Sequence, residues 1–181
     1  MNPSKLSRVM SHALRHAPSE YGIILDKHGW VAIDKLIGGI QNHLSVPPII
    51  NEEMIRTVCL NSKKQRFEIR ENHIRATYGH SIDLAIEYEI AIPPEFLYHG
   101  TAPKTVPQII DHGIQSMKRS YVHLSTNLDI AKKVGLRKSK TPLIIQVFAS
   151  IAHNEGIQFY SPVPEMWLTL YIPPSFLKVY S

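Results

Sequence analysis

Met-Lys-Arg-Ser-Tyr-Val-His-Leu-Ser, residues 117–125, decides how the second half of this chain is read. From Tyr121 onward the stretch alternates, so Tyr121, His123 and Ser125 share one face of a strand while Val122 and Leu124 share the other. Val122 and Leu124 are natural core residues. The opposite face is then a row of hydrogen-bonding groups, entered past Lys118 and Arg119. A strand with one apolar side and one polar, cationic side suits the floor of a cleft for an anion. A half-exposed antiparallel strand gives the same alternation. Two more arginine-bearing segments and a His-Gly-Thr turn elsewhere in the chain favour the cleft.

Around that strand the residues from 93 to 181 form a strand-rich lobe with a few short helices. Phe96-Leu97-Tyr98-His99 reads as a strand ending at Gly100-Thr101, and residues 105–112 as a helix with Gly113 where a terminating glycine belongs. A helix over 128–134 is followed by a basic loop, 135–141, in which Arg137, Lys138 and Lys140 read as solvated. Residues 142–149 are almost continuously apolar, the pattern of a central strand. Residues 158–160 and 167–172 add strands, the last closed by Pro173-Pro174.

Residues 1–92 have a different grammar. Ser4 is placed to cap a helix through Leu6, Val9, Met10, Ala13 and Leu14, ending near His16 because Pro18 disfavours helix at Ala17. Arg15 and His16 thus occupy its last turn, where cations complement the helix dipole in any case. Residues 22–25 and 30–33 read as short extended pieces. Asp34 is placed to cap a second helix, Pro47 and Pro48 mark a loop, and Asn51 caps a third helix with Glu52 and Glu53 in its first turn. A hairpin follows: residues 63–69, a turn at Glu71-Asn72, then residues 73–77. Arg66, Glu68 and Arg70 share one strand face, Phe67 and Ile69 the other. Three helices closed by a hairpin make a winged-helix pattern, and its clustered Lys and Arg suit either nucleic acid or a solvated wing.

Charge agrees with a polyanionic partner. Lys plus Arg number 20 against 15 Asp plus Glu, a formal net charge of +5 over 181 residues, with ten histidines besides. The 44% hydrophobic content predicts a folded chain. One cysteine, Cys59, excludes an internal disulfide framework and a Cys-rich zinc site, and it reads as a packed core thiol. No His-x-x-x-His pair with a third ligand stands out, so no metal is expected. Trp30 and Trp167 read as core aromatics, His12 and His28 as solvated. No apolar run is long enough to span a membrane and no signal-peptide core follows Met1, so a cytoplasmic monomer without membrane contact is expected.

Taken together, Leu14-Arg15-His16, Lys64-Gln65-Arg66-Phe67, Ile74-Arg75-Ala76 with Gly79-His80-Ser81, Tyr98-His99-Gly100-Thr101 and residues 117–125 resemble one family along nearly the whole chain. The sequence is similar to the NAD-dependent RNA 2′-phosphotransferases, which remove the splice-junction 2′-phosphate in fungal tRNA splicing. The resemblance implies an α+β protein: an N-terminal winged-helix lobe, residues 1–92, for RNA, and a C-terminal ADP-ribosyltransferase-like lobe, residues 93–181, for NAD+. It implies that an RNA 2′-phosphate attacks the nicotinamide ribose and expels nicotinamide. The 2″-hydroxyl of the resulting RNA-2′-phospho-ADP-ribose then attacks phosphorus, leaving 2′-OH RNA and ADP-ribose 1″,2″-cyclic phosphate. The family's essential quartet matches Arg15, His16, Arg66 and Arg119. Two departures stand out: Tyr78 where glutamine is usual, and Pro164-Glu165-Met166 where Asn-Gly-Val usually precedes Trp-Leu-Thr.

The chemistry explains that choice of residues. A phosphate dianion needs no general base; it needs to be held desolvated and aimed, which guanidinium forks do better than ammonium groups. Arg15, Arg66 and Arg119 are expected to surround the phosphate when a cleft closes between the lobes, and then to stabilise the second transition state. Histidines ordinarily titrate near neutrality, which makes His16 the candidate for proton transfer in the second step. For NAD+, His99, Gly100, Thr101, His123 and Ser125 are expected to line the site, with Gly100 allowing close backbone approach. Glu165, near Trp167, is one residue away from the place of the catalytic glutamate of protein-modifying ADP-ribosyltransferases. Lys64, Arg75 and His80 are expected to contact RNA. Two other readings of the same residues are a non-catalytic winged-helix nucleic-acid binder and a transferase that leaves ADP-ribose on a terminal phosphate or a protein.

Overall fold

The first helix starts at a different cap from the one its sequence suggests. Asn2, not Ser4, accepts the Lys5 amide (2.8 Å), and α1 runs Pro3–Arg15 with its proline in the first turn, where no backbone donor is lost. The computed structural model describes residues 1–44, 49–62, 65–82, 84 and 86–180, so Pro47, Pro48 and Lys64 lie outside the described residues. It divides into two compact units, Met1–Glu87 and Tyr88–Ser181; the sequence suggested a division between 92 and 93.

In the first unit α1 stops because Ala17 cannot continue a helix into Pro18. A short 3-10 turn, Pro18–Tyr21, takes over and ends at Gly22 with φ 62°. Residues 22–25, expected to be extended, form no strand; β1 is only Val31–Ala32. The second helix, α2 (Ile33–His43), begins at Ala32 rather than at Asp34, because the Ile33 amide is bound by the Asn72 carbonyl (2.8 Å) and needs no side-chain cap. Asn51 caps α3 (Glu52–Leu60) through the Met54 amide (3.0 Å), as its spacing suggested. Strands β2 (Phe67–Arg70) and β3 (His73–Ala76) turn at Glu71, which takes φ 52°. The sheet order is β1-β3-β2, all antiparallel. Leu6, Met10, Leu14, Leu36, Ile40, Ile55 and Ile74, all wholly buried, make the core between helices and sheet. Trp30 is half-buried and outside that core. Its ring lies 4.6 Å from the Arg75 guanidinium and 5.4 Å from that of Arg70.

The second unit is a six-stranded sheet. Its strands are β4 (Phe96–Thr101), β6 (Val122–Ser125), β7 (Leu143–Phe148), β8 (Tyr160–Val163), β9 (Met166–Thr169) and β11 (Leu177–Tyr180), ordered β11-β7-β4-β6-β9-β8 and antiparallel throughout. Two short strands, β5 (Ile114–Gln115) and β10 (Tyr171–Ile172), pair separately. Around the strands run α4 (Val106–His112), α5 (Leu128–Gly135) and α6 (Ala149–Asn154). The apolar run at 142–149 is an interior strand, but β11 pairs beyond it, so β4 and β6 hold the centre of the sheet.

The close packing of α5 on β4 is set by two glycines. A Cβ on Gly100 would overlap the Ala131 carbonyl, and one on Gly135 would come within 2.6 Å of Pro142. At the coarse level the α+β expectation holds: helices with antiparallel sheets.

Candidate active site

In the first unit the last turn of α1 presents Arg15 and His16 to the segment that leaves β3. That segment is strapped in place. The Thr77 amide donates to the Arg66 carbonyl (3.0 Å), the Thr77 hydroxyl to the Gln65 carbonyl (2.5 Å), and the Ser81 amide to the Arg15 carbonyl (2.9 Å). Gly79 takes φ 87°, a conformation closed to most side chains, and so lets the chain turn back to α1.

Arg15 is thereby fixed on several sides. Its Nη2 donates to the Arg66 carbonyl (3.0 Å), and its guanidinium carbon lies 5.1 Å from the centre of the Tyr78 ring and 5.8 Å from that of Phe67. His16 Nδ1 and Ser81 Oγ are hydrogen-bonded at 2.8 Å. His16 and Arg66 line one groove, of about 640 Å³. Arg15, His16 and Arg66, 51 positions apart at the extremes, thus belong to one constellation.

His80 sits behind these groups and is only 3% exposed. Burial, and then the positive charges of Arg15, His16 and Arg75, push its pKa down to about 4, so the ring is neutral at pH 7. Arg75 is engaged within the hairpin. Its Nε (2.8 Å) and Nη2 (2.6 Å) both reach the Glu68 carboxylate, its Nη1 donates to the His28 carbonyl (3.3 Å), and its plane lies over Trp30.

In the second unit β4 and β6 pair at Tyr98 and Ser125, which sets His99 and His123 on adjacent central strands. His99 Nδ1 donates to the His123 carbonyl (3.1 Å), and His123 Nδ1 to the Tyr121 carbonyl (3.1 Å). Burial drives the His99 pKa below its ordinary value; the His123 carbonyl opposes this, and the charges of Lys138 and Arg119 add to it. A neutral His99 with its proton on Nδ1 leaves Nε2 as a hydrogen-bond acceptor. Thr101 and Ser125 are buried beside these histidines on the same strands, at 6% and 4% exposure. Ser125 Oγ accepts the Asn127 amide (3.0 Å), which starts α5.

Arg119 lies outside β6, which begins only at Val122. It is exposed, on a turn where its amide donates to the Ser116 carbonyl (3.2 Å) and Met117 takes φ 58°. The expected strand face therefore starts two residues later than Tyr121 and carries His123 and Ser125. Gly100 has a packing reason for being glycine, the Ala131 carbonyl of α5 described above.

Several contacts beyond the expected ones take part. Tyr78 was noted only as a departure from the family pattern, and it provides the ring under Arg15. Glu165, on the β8–β9 turn with φ 63°, accepts a hydrogen bond from the Asn127 side chain (3.1 Å) and so ties that turn to the start of α5. Tyr88, Tyr121 and Tyr160 meet edge to face and tilted, with ring centres 5.5–6.3 Å apart. A tyrosine beside Gly-His-Ser was the available signal for the first; for the other two contacts, made across 33 to 72 positions, the sequence holds none. Among the described residues no group of three His, Cys, Asp or Glu is placed to hold a metal, and no helix is long and apolar enough to cross a membrane.

Residues 2–170 match the family model described as "RNA 2'-phosphotransferase, Tpt1 / KptA family". Among curated proteins, one from Bacillus thuringiensis is 40% identical over 97% of this chain and 95% of its own length, and one from Acetivibrio thermocellus is 41% identical over 97% and 96%. A more distant relative from Thermococcus kodakarensis is 33% identical over 94% and 93%. Each of the three bears the name "Probable RNA 2'-phosphotransferase".

Proposed function

The chain belongs to the RNA 2′-phosphotransferase family, and from that premise we propose that it removes an internal 2′-phosphate from RNA with NAD+ as a consumed co-substrate. The observation that carries the proposal is the constellation of Arg15, His16 and Arg66, in which a guanidinium is held between a backbone carbonyl and the Tyr78 ring. A phosphate dianion is the nucleophile such a site suits, since it arrives charged and needs only to be oriented and stripped of water.

The first unit, three helices with a three-stranded antiparallel sheet, is read as the winged-helix RNA lobe, and the second as the ADP-ribosyltransferase-like lobe. Neutral His99, whose Nε2 accepts, suits a ribose hydroxyl as donor, and buried Thr101 and Ser125 on the same strands suit the polar groups of a dinucleotide. His123 is assigned to the wall of that site. Gly100 contributes indirectly, by letting α5 lie close against β4.

The RNA 2′-phosphate oxygen bonds to C1″ of the nicotinamide ribose as the bond to nicotinamide breaks, and nicotinamide leaves with that electron pair. The 2″-hydroxyl then attacks phosphorus, the bond to the RNA 2′-oxygen breaks, and a proton passes from the former to the latter. Arg66 and Arg119 are assigned to the charge that builds on the phosphoryl oxygens in this second step, and His16 to its proton transfer. His80, only 3% exposed, is too buried for the RNA contact expected of it, while Arg75 and Lys64 are left as RNA-contact candidates on the hairpin strand and the segment before it.

The assignment is tested by Arg66→Ala and Arg119→Ala. Each should slow the second step on the order of a hundredfold while nicotinamide release continues, so that RNA-2′-phospho-ADP-ribose accumulates on a denaturing gel. Full turnover by both variants without an intermediate would remove these roles.

A further inference from the structure

The solvent-facing side of α1 is unusual for a surface helix. Ser4, Ser7, Arg8, Ser11 and His12 fall at i, i+3, i+4, i+7 and i+8, opposite the buried Leu6, Met10, Ala13 and Leu14, and the helix contains no acidic residue. A merely solvated face favours acids in the first turn, where they complement the dipole. Here that face forms one wall of the 640 Å³ groove that ends at His16 and Arg66, and none of the described residues lining it is a carboxylate. Its far wall, Val58 of α3 with Asn61 and Ser62 after it, is uncharged.

A row of hydroxyls with the Arg8 guanidinium, the His12 ring and Arg66 at the groove's end matches the repeating phosphates and 2′-hydroxyls of a single strand and selects no base. His12 is oriented for this by Tyr21, whose hydroxyl is bonded to Nδ1 (3.0 Å), which leaves Nε2 as the ring's other polar atom. From Ser4 to His16 the helix rises about 18 Å, longer than one nucleotide.

We infer that the α1 groove is a second RNA subsite, which holds the backbone of the nucleotides flanking the 2′-phosphorylated one through Ser4, Ser7, Arg8, Ser11 and His12. This rests on the reading of RNA as substrate. The subsite makes the enzyme favour a 2′-phosphate inside a strand over the same group on a dinucleotide, irrespective of sequence.

The test compares a 2′-phosphorylated dinucleotide with a 2′-phosphorylated octanucleotide, in the full-length protein and in its Arg8→Glu and Ser7→Tyr variants. The natural chain should show the lower KM for the octanucleotide. Each variant should raise the octanucleotide KM about tenfold, leaving kcat and the dinucleotide kcat/KM unchanged. Anisotropy of a fluorescent single-stranded octanucleotide, read across a salt series, should show Arg8→Ala with a salt slope smaller by about 0.7, as expected for one lost phosphate contact. Arg8 is exposed and Ser7 half-buried, so unchanged thermal melting of each variant confirms that folding is not the cause. Variants that match the natural chain in octanucleotide KM and in salt slope would overturn the subsite. If no substrate is turned over, the catalytic reading fails, and the anisotropy series still decides for or against the groove.

Discussion

Arg15, proposed above as a phosphate-binding group, shows how a single guanidinium is aimed. Its Nη2 is held by the Arg66 carbonyl and its face by the Tyr78 ring, so on the proposed function little rotational freedom is left to lose when a phosphate binds. Tyr78→Leu should remove a contact worth about 1 kcal/mol and lower kcat/KM for the phosphorylated RNA roughly fivefold, with Tyr78→Phe close to the natural chain in steady-state kinetics. Equal losses in both variants would mean that the hydroxyl, not the ring, is what matters. His80 carries a different consequence. Its folded pKa of about 4 lies below the ordinary value, so the unfolded chain binds its proton more readily. The stability this group contributes is complete above pH ~6.5 and is lost as the pH falls toward ~4, by up to about 3 kcal/mol. Denaturant titrations from pH 7.5 to 4.5 should therefore show His80→Gln with a shallower acid decline than the natural chain. Parallel declines would contradict the burial argument.

Elements were legible where a residue type has one job. Asn51 capping α3, Gly113 ending α4 at φ 82°, and the alternation that buries Val122 and Leu124 follow from local chemistry alone. The start of α1 was misplaced because two good cap residues, Asn2 and Ser4, lie close together and the Asn-Pro pair was passed over, that of α2 because its partner, the Asn72 carbonyl, is remote in sequence. The short strands β5 and β10 were unreadable on their own, since two residues carry no period and exist only by pairing with each other. Gly100 was legible as important, but its reason was not, because α5 comes against it from some thirty positions away. Gly100→Ala should push α5 off β4 and destabilise the protein by roughly 3 kcal/mol in chemical denaturation. A loss below about 1 kcal/mol would mean that the helix can slide without cost.

At the scale of the molecule, two units differ in construction: residues 1–87 hold the Arg15 guanidinium against the Arg66 carbonyl, and residues 88–181 set His99, its pKa lowered by burial, among the buried Thr101 and Ser125. The family was legible because five short motifs occur in the right order across nearly the full length. Tyr78 under Arg15 and Glu165 against Asn127 were not, since both occupy positions where the chain departs from the pattern it otherwise follows. The central claim is that the protein moves a phosphoryl group from RNA to NAD+-derived ADP-ribose. The most direct measurement incubates it with a 2′-phosphorylated oligonucleotide and NAD+ labelled in the ADP-ribose portion, then resolves the products. Free nicotinamide, 2′-OH RNA and labelled ADP-ribose 1″,2″-cyclic phosphate in equal amounts are predicted. Label retained on RNA or protein as the final product, or RNA binding without release of nicotinamide, would contradict it.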